Sequence, residues 1–264
     1  MLGDKILGVI GGSGQLGCAI IQGLVAANAL PANRILVSNR SGARGDLPDT
    51  VRVVTDHAEL VAACDVILLS VPPTGASEMR LRADGKLVLS VMAGVTIDQL
   101  AEIAGHDRVI RAMSSPAAAE QLAYSPYVLR TGARDDAALT EELFGAIGKT
   151  DALHEEAQLD VFTAITGPVP GFVALFADAM IGFARDQGVD GDVAERAVRQ
   201  LFLAAGNEMG AGGPSPAKQV QWMIDYAGTT AAGLEAMKAA GVEDVIDKGL
   251  AAAVEKARRI AEAS

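Results

Sequence analysis

Gly12-Ser13-Gly14-Gln15-Leu16-Gly17 is the segment whose residue types and spacing speak most directly of chemistry. It follows an apolar run, Ile6-Leu7-Gly8-Val9-Ile10, and opens a stretch of helical character beginning Cys18-Ala19-Ile20. A G-x-G-x-x-G between a first strand and a first helix is a dinucleotide fingerprint. Gly12 is expected to permit the tight turn, Gly14 to let a pyrophosphate approach the backbone, and Gly17 to let the helix pack closely on the strand. Ser13, Gln15 and Leu16 complete the loop, and the helix N-terminus attracts the phosphate charge. The competing reading is a glycine-rich βα turn with no ligand.

The second strand bears on which dinucleotide. A cofactor with a free ribose 2′-hydroxyl usually meets an acid about 20 residues past the glycines. Here the strand ends in Ser38-Asn39-Arg40-Ser41, and no acid follows until Asp46. Arg40 can pair with a 2′-phosphate that an acid would repel, while the hydroxyls and amide can donate hydrogen bonds. The expectation is NADP(H) in preference to NAD(H), against the alternative that Arg40 is an ordinary solvated loop residue. Further cofactor contacts are expected from Val71, Pro72, Ala93 and Met113, at or just past the ends of strands four, five and six.

The elements that must position these residues alternate. Strands are expected at 5–10, 34–38, 51–54, 65–71, 86–92 and 107–112. Val66-Ile67-Leu68-Leu69 and Leu87-Val88-Leu89 are continuously apolar, as strands buried on both faces are, so the sheet should be mostly parallel. Alternating βα units imply an α/β fold, a doubly wound Rossmann sheet. Residues 42–50 should lack a helix, 124–129 should add an edge strand, and 135–147 should be helical. The character changes near residue 155, which divides a dinucleotide-binding domain (1–155) from an all-α domain (156–264). Pro168 and Pro170 should break or kink the helix there. The most apolar long stretch, 170–184, contains Asp178, is too short to span a bilayer, and should form a buried helix.

Length and composition bound the rest. The chain has 264 residues, half of them hydrophobic but only 4% aromatic, so small aliphatic side chains must build the core. A net charge of -11 makes DNA or RNA an improbable partner. The two cysteines, Cys18 and Cys64, lack metal-like spacing and read as buried reduced thiols. His57, His106 and His154 are scattered, so neither a metal site nor a catalytic triad is expected. With no signal peptide and no membrane span, the expected location is the cytoplasm.

Several short segments, in order and at similar spacing, resemble the pyrroline-5-carboxylate reductase family from end to end. These are Cys18-Ala19-Ile20 after the glycines, Ser38-Asn39-Arg40-Ser41, Gly94-Val95-Thr96-Ile97, Arg111-Ala112-Met113, residues 163–170, and Gly228-Thr229-Thr230 followed by Gly233-Leu234. The resemblance implies a helical domain through which two chains form a homodimer, with each site built from both. It also implies hydride transfer from NAD(P)H to the carbon of a cyclic imine, where catalysis is mainly the holding of the nicotinamide against the iminium. It assigns Thr163 and Thr166 as hydroxyls near the reacting imine, against the alternative that Thr163 is an ordinary helix residue bonding back to its own carbonyls. Thr230, Thr229 and Asp225 would contact the substrate's polar substituent, and Ser114 and Ser115 the nicotinamide amide or the substrate. Trp222 and Tyr226 would wall the pocket, with packing the plainer role for Trp222.

The chain departs from the family pattern where substrate should bind. Met-Pro-Asn-Thr-Pro becomes Met113-Ser114-Ser115-Pro116, one residue shorter. The second Ser and second Gly of Ser-Gly-Ser-Gly-Pro become Pro168 and Val169, and a Lys-Pro pair becomes Pro72-Pro73. The Ser of Ser-Pro-Gly-Gly-Thr-Thr becomes Asp225, and a carboxylate facing a substrate carboxylate is repulsive. The expected substrate is therefore pyrroline-5-carboxylate or a related imine, with Asp225 either meeting a cationic group or turned away to solvent. Two alternatives stand. One is a Rossmann NADP oxidoreductase of other chemistry, of prephenate or deazaflavin-linked type; a 6-phosphogluconate-like enzyme is disfavoured because residues 170–188 lack Lys. The other is a non-catalytic NADP-binding protein.

Overall fold

In a computed structural model of the protein, the six apolar segments form β1 (Leu7–Ile10), β2 (Ile35–Ser38), β3 (Arg52–Val54), β4 (Val66–Leu69), β5 (Leu87–Ser90) and β6 (Val109–Ala112). Residues 2–76, 78–130 and 134–262 are described. The strands lie in the order β3-β2-β1-β4-β5-β6, all parallel. The order reverses between β1 and β4, which creates a crevice at their carboxyl ends.

The region expected to give one edge strand divides around Pro126, which has no N–H to donate to a ladder. Its two pieces are β7 (Ala123–Tyr124) and β8 (Tyr127–Leu129). β8 closes the seven-stranded sheet antiparallel to β6, while β7 pairs in parallel with β9 (Gly148–Lys149).

Every residue of β1, β2, β4, β5 and β6 is buried. Alternate side chains supply opposite faces, as the period-two geometry of a strand requires. Leu7, Val9, Val66 and Leu68 join Ile20 and Leu24 of α1 (Gln15–Ala26) and Leu143 and Phe144 of α4 (Arg134–Gly145). Ile10, Ile67, Leu69 and Val88 join Leu60 of α2 (His57–Ala63) and Leu100 and Ile103 of α3 (Ile97–Ala104). Residues 42–50 contain no helix.

The described residues after 156 are helical and turn structure: α5 (Ala157–Thr166), α6 (Val169–Asp186), α7 (Gly191–Gly210), α8 (Pro216–Asp225), α9 (Thr229–Ala239) and α10 (Val242–Glu262). α5 and α6 are interrupted at Gly167-Pro168, where the prolines are expected to act. Two compact units result, Met1–Gly167 with Ala253–Ser264, and Pro168–Ala252. α5 thus lies with the sheet unit.

The expectation of a buried helix over 170–184 fails. α6 leaves Leu175 72% and Phe183 69% exposed, with Phe172, Val173 and Phe176 also open to solvent. By length and composition alone the longer stretch Ala157–Asp186 could cross a bilayer, but it comprises two helices, α5 and α6. Further exposed apolar side chains lie on α7 and α10, among them Leu201, Leu203, Val245 and Ile246.

Candidate active site

The glycine loop is held between the ends of two strands. The Gly11 N–H donates to Ser38 O at 2.8 Å, and the Ser70 N–H donates to Ile10 O at 2.9 Å. The left-handed turn residue is Gly11, with φ +84°, and not Gly12 as the motif suggests. A Cβ on Gly11 would lie 2.4 Å from Ser70 O and 2.7 Å from Val71 Cγ1. Gly12 is instead required by packing, since its Cβ would stand 2.7 Å from Val37 Cγ2. Gly17 admits no side chain either, because its Cβ would fall 2.8 Å from both Gly11 O and Gly12 Cα, which are backbone atoms.

Gly14 caps α1 with extended backbone, no side-chain hydrogen bond satisfies the helix start, and the first turn contains no acid. The amides of Gln15, Leu16 and Gly17 by position lack an intrahelical acceptor. A close-approaching backbone, open amides, a positive dipole end and a first turn free of acids suit a pyrophosphate. Gln15 is exposed, and Leu16 packs against the core.

The corner at the end of β2 is tied to this loop. Asn39 Nδ2 donates to Ser13 Oγ at 2.9 Å and to Ala43 O at 2.8 Å, and Ser41 Oγ donates to Asn39 Oδ1 at 3.1 Å. Arg40 is exposed, and its guanidinium makes no ion pair among the described residues. Ser38 is fully buried, and its hydroxyl lies 2.8 Å from His57 Nδ1. Burial holds the His57 imidazole below its usual pKa, with Asp56 opposing and the Arg40 charge assisting.

The remaining candidates in the sheet unit follow β4, β5 and β6. Val71 and Ala93 are half-buried, and Pro72 is exposed at the start of a short 3-10 turn. Met113 is a core residue, packed with Val128 and Leu159, and its N–H donates to Pro126 O at 3.0 Å. The Ser114 hydroxyl is buried and shares a 2.9 Å hydrogen bond with Ser125 Oγ, so its side chain faces the protein. Ser115 is half-buried and caps the turn that begins at Pro116.

Thr163 and Thr166 are half-buried on α5. Each donates to a carbonyl one turn back, Thr163 Oγ1 to Leu159 O at 2.8 Å and Thr166 Oγ1 to Phe162 O at 2.7 Å. Their protons are thereby engaged, and their lone pairs remain free to accept.

Arg111, at the carboxyl end of β6, anchors α5. Its guanidinium is 3% exposed and donates from Nη1 to Glu156 Oε1 at 2.7 Å and from Nη2 to Asp160 Oδ1 at 3.0 Å. The same Glu156 Oε1 accepts the Ile97 N–H at 2.8 Å. One carboxylate therefore joins β6, the start of α3 and the start of α5. Sequence reasoning singles out neither this cluster, nor Gly11, nor His57 as functional, although a charged residue inside a buried strand is a visible signal.

In the helical unit, Thr229 and Thr230 are the first two residues of α9, whose cap Gly228 offers no side chain. Ala227, just before it, has φ +55°. Asp225 ends α8 and is exposed, and its Oδ1 accepts from Gln221 Nε2 at 2.8 Å. A groove of ≈ 510 Å³ is lined by Thr230, Tyr226, Met223, Trp222 and Glu208 among others, but not by Asp225. Trp222 is 54% exposed on this groove, with Lys218 Nζ 5.1 Å above its ring, so it is not the packing residue expected. Among the described residues, no cluster of His, Cys, Asp and Glu has metal-binding geometry.

Residues 156–260 match the family model for pyrroline-5-carboxylate reductase dimerisation, and residues 6–94 match that for coenzyme F420-dependent NADP oxidoreductases. Pyrroline-5-carboxylate reductase 2 of Bacillus subtilis is 30% identical over 252 residues, 92% of this chain and 90% of that protein. The Arabidopsis thaliana pyrroline-5-carboxylate reductase is 29% identical, over 95% and 94% of the two chains. Among solved structures, the pyrroline carboxylate reductase of Plasmodium falciparum with NADP bound has a TM-score of 0.83 at 22% identity, over 99% of this chain and 100% of that one. A reductive aminase of Aspergillus terreus in complex with NADPH has a TM-score of 0.52 at 17% identity, over 84% and 78%. These structural likenesses establish the fold.

Proposed function

The chain belongs to the pyrroline-5-carboxylate reductase family and is an NAD(P)H oxidoreductase, and from that premise we propose that it uses NADPH to reduce pyrroline-5-carboxylate, or a closely related cyclic imine, to the amine. The observation that carries the reading is the glycine loop fixed between β2 and β4, with uncapped amides and no acid in the first turn of α1. When bound, the cofactor supplies the hydride for the imine carbon. The protein's work is to bind, orient and exclude water.

The amides of Gln15, Leu16 and Gly17 take the pyrophosphate. Arg40 takes the 2′-phosphate, from a corner organised by Ser13, Asn39 and Ser41. Val71, Pro72, Ala93, Met113, Ser114 and Ser115 border the nicotinamide, with Met113 and Ser114 acting through their backbone because their side chains face inward. Thr163 and Thr166, with protons already engaged, accept from a protonated imine nitrogen and so keep the C=N carbon electrophilic.

Thr229, Thr230 and the open amides at the start of α9 suit a substrate carboxylate. The Asp225 carboxylate is exposed, bonded to Gln221 and off the groove that Thr230 lines, so it does not stand against a substrate carboxylate held there. Residues 156–264 serve as the dimerisation domain, and two chains cover each other's exposed apolar helices. The two free, buried cysteines fit a reducing compartment, the cytoplasm.

The test is the loss of NADPH absorbance with pyrroline-5-carboxylate beside 1-pyrroline. Turnover of the carboxylate substrate is expected; turnover of 1-pyrroline alone would assign a different imine, and turnover of neither would leave a binding protein. Arg40→Ala should weaken NADPH roughly tenfold or more and NADH less than about twofold, since a charge-assisted contact contributes about 1.5–3 kcal/mol.

A further inference from the structure

His57 stands at the same corner as Arg40 without being part of any recognised motif. It is the first residue of α2, directly after the cap Asp56, whose carboxylate accepts the Ala58 N–H at 2.8 Å. Its Nδ1 lies 2.8 Å from the hydroxyl of Ser38, the last residue of β2, where the ribose-reading acid of an NAD enzyme would sit. The ring is half-buried, and among the described residues its Nε2 has no hydrogen-bond partner. The cation close enough to act on it is Arg40, and the nearby anion is Asp56.

From this geometry we infer that His57 is a second, proton-dependent recognition group for the 2′-phosphate, so that the protein discriminates between NADP and NAD more strongly at lower pH. The inference rests on the NADP reading given above.

The physical reason is a change in the ring's donors. Neutral imidazole has one N–H and one bare nitrogen; the cation donates from both. With Nδ1–H directed at Ser38 Oγ, the cation's Nε2–H is free to meet an anion. In the cofactor-free protein, burial and the Arg40 charge hold the ring's pKa below its usual value, with Asp56 opposing. A dianionic phosphate at this corner offsets Arg40 and pulls the ring's pKa upward. Binding then takes up a proton. The added affinity is full below the free-protein pKa and is lost as pH rises through the higher, bound value. Arg40 stays charged throughout and sets the pH-independent part.

The experiment is titration calorimetry of the full-length protein with NADP⁺ and, separately, NAD⁺, from about pH 6.2 to about pH 8, above the second pKa of the phosphate itself. Buffers of different ionisation enthalpy report proton uptake directly. For NADP⁺ the Kd should rise roughly three- to tenfold across the range, with net proton uptake near neutrality. For NAD⁺ it should change less than about twofold. His57→Asn and His57→Gln should both flatten the NADP⁺ profile and abolish the uptake while leaving NAD⁺ binding unchanged, which also shows that the variants are folded. A slope that persists in both variants, or an equal slope for NAD⁺, would overturn the role of His57. Native protein with no NADP⁺ preference at any pH would overturn the cofactor reading and this inference together.

Discussion

Replacing Arg111 by Met should destabilise the protein by about 2–4 kcal/mol, and the cost should come from the two carboxylates left behind. Met fills much of the space of the Arg stem, so lost packing is a small part of the change. The guanidinium is 3% exposed, while Glu156 and Asp160 are 29% and 19% exposed. Removing one partner of a fully buried pair costs about 3–5 kcal/mol, because an uncompensated charge remains in a poor solvent. Here water reaches both carboxylates in part, which lowers the figure, while the presence of two anions raises it.

The discriminating variant is the triple substitution Arg111→Met, Glu156→Gln, Asp160→Asn. It removes all three charges, and the side-chain amide introduced by Glu156→Gln keeps an oxygen for the Ile97 N–H. Its stability should return to within about 1.5 kcal/mol of the parent, since an uncharged cluster carries no stranded ion. Urea unfolding at one fixed protein concentration, followed by circular dichroism, reads both effects; the concentration must be held because association contributes to stability. A single variant costing under about 1 kcal/mol would show that the cluster is not what holds α5. A triple variant as unstable as the single one would show that shape, not charge, carries the cost.

Three further outcomes follow from particular contacts. Gly17→Ala drives a Cβ against the Gly11 and Gly12 backbone, neither of which can rotate away; it should lower stability by about 1–3 kcal/mol and largely abolish NADPH-induced thermal stabilisation, and an unchanged melt would refute the close packing. Thr163→Val keeps the shape of the side chain and removes its lone pairs, so kcat should fall roughly tenfold or more with stability within about 0.5 kcal/mol, whereas an unaffected kcat would exclude it from the reacting centre. Ala227→Gly relieves a left-handed residue at φ +55° where the family pattern has Gly; steric relief of about 1–2 kcal/mol exceeds the backbone entropy lost, so urea resistance should rise slightly, and a loss of about 1 kcal/mol or more would contradict the strain.

The sheet unit was legible because its constraints are local. Continuous apolar runs at residues 66–69 and 87–89 have one good solution, a strand covered on both faces. The glycine loop is written in residues adjacent in sequence, though the doubled Gly11-Gly12 concealed which of the two turns the chain. Long-range side-chain partners were not legible. Glu156 and Asp160 lie 45 and 49 residues from Arg111, and no periodicity links them. The inward turn of Ser114 likewise depends on Ser125, in a different strand-end loop, whereas Thr163 bonds back to Leu159 one turn earlier, as a helical threonine can.

The helical region departs from expectation, in the exposure of residues 170–184, for a different reason. Its apolar residues recur at helical spacing, and the economical inference from hydropathy is burial within the chain. That inference treats the chain as the whole of the folded object. Leu175, Phe183, Leu201, Leu203 and Val245 are all more than half exposed, which a single chain in water tolerates poorly over adjoining helices. The pattern becomes ordinary once a second copy is the solvent-excluding surface, as the match of residues 156–260 to a dimerisation family implies. Hydrophobic periodicity reports that a face will be covered; it carries no information on whether the cover is the same molecule. Half the chain is hydrophobic, and part of that supply is spent on an interface.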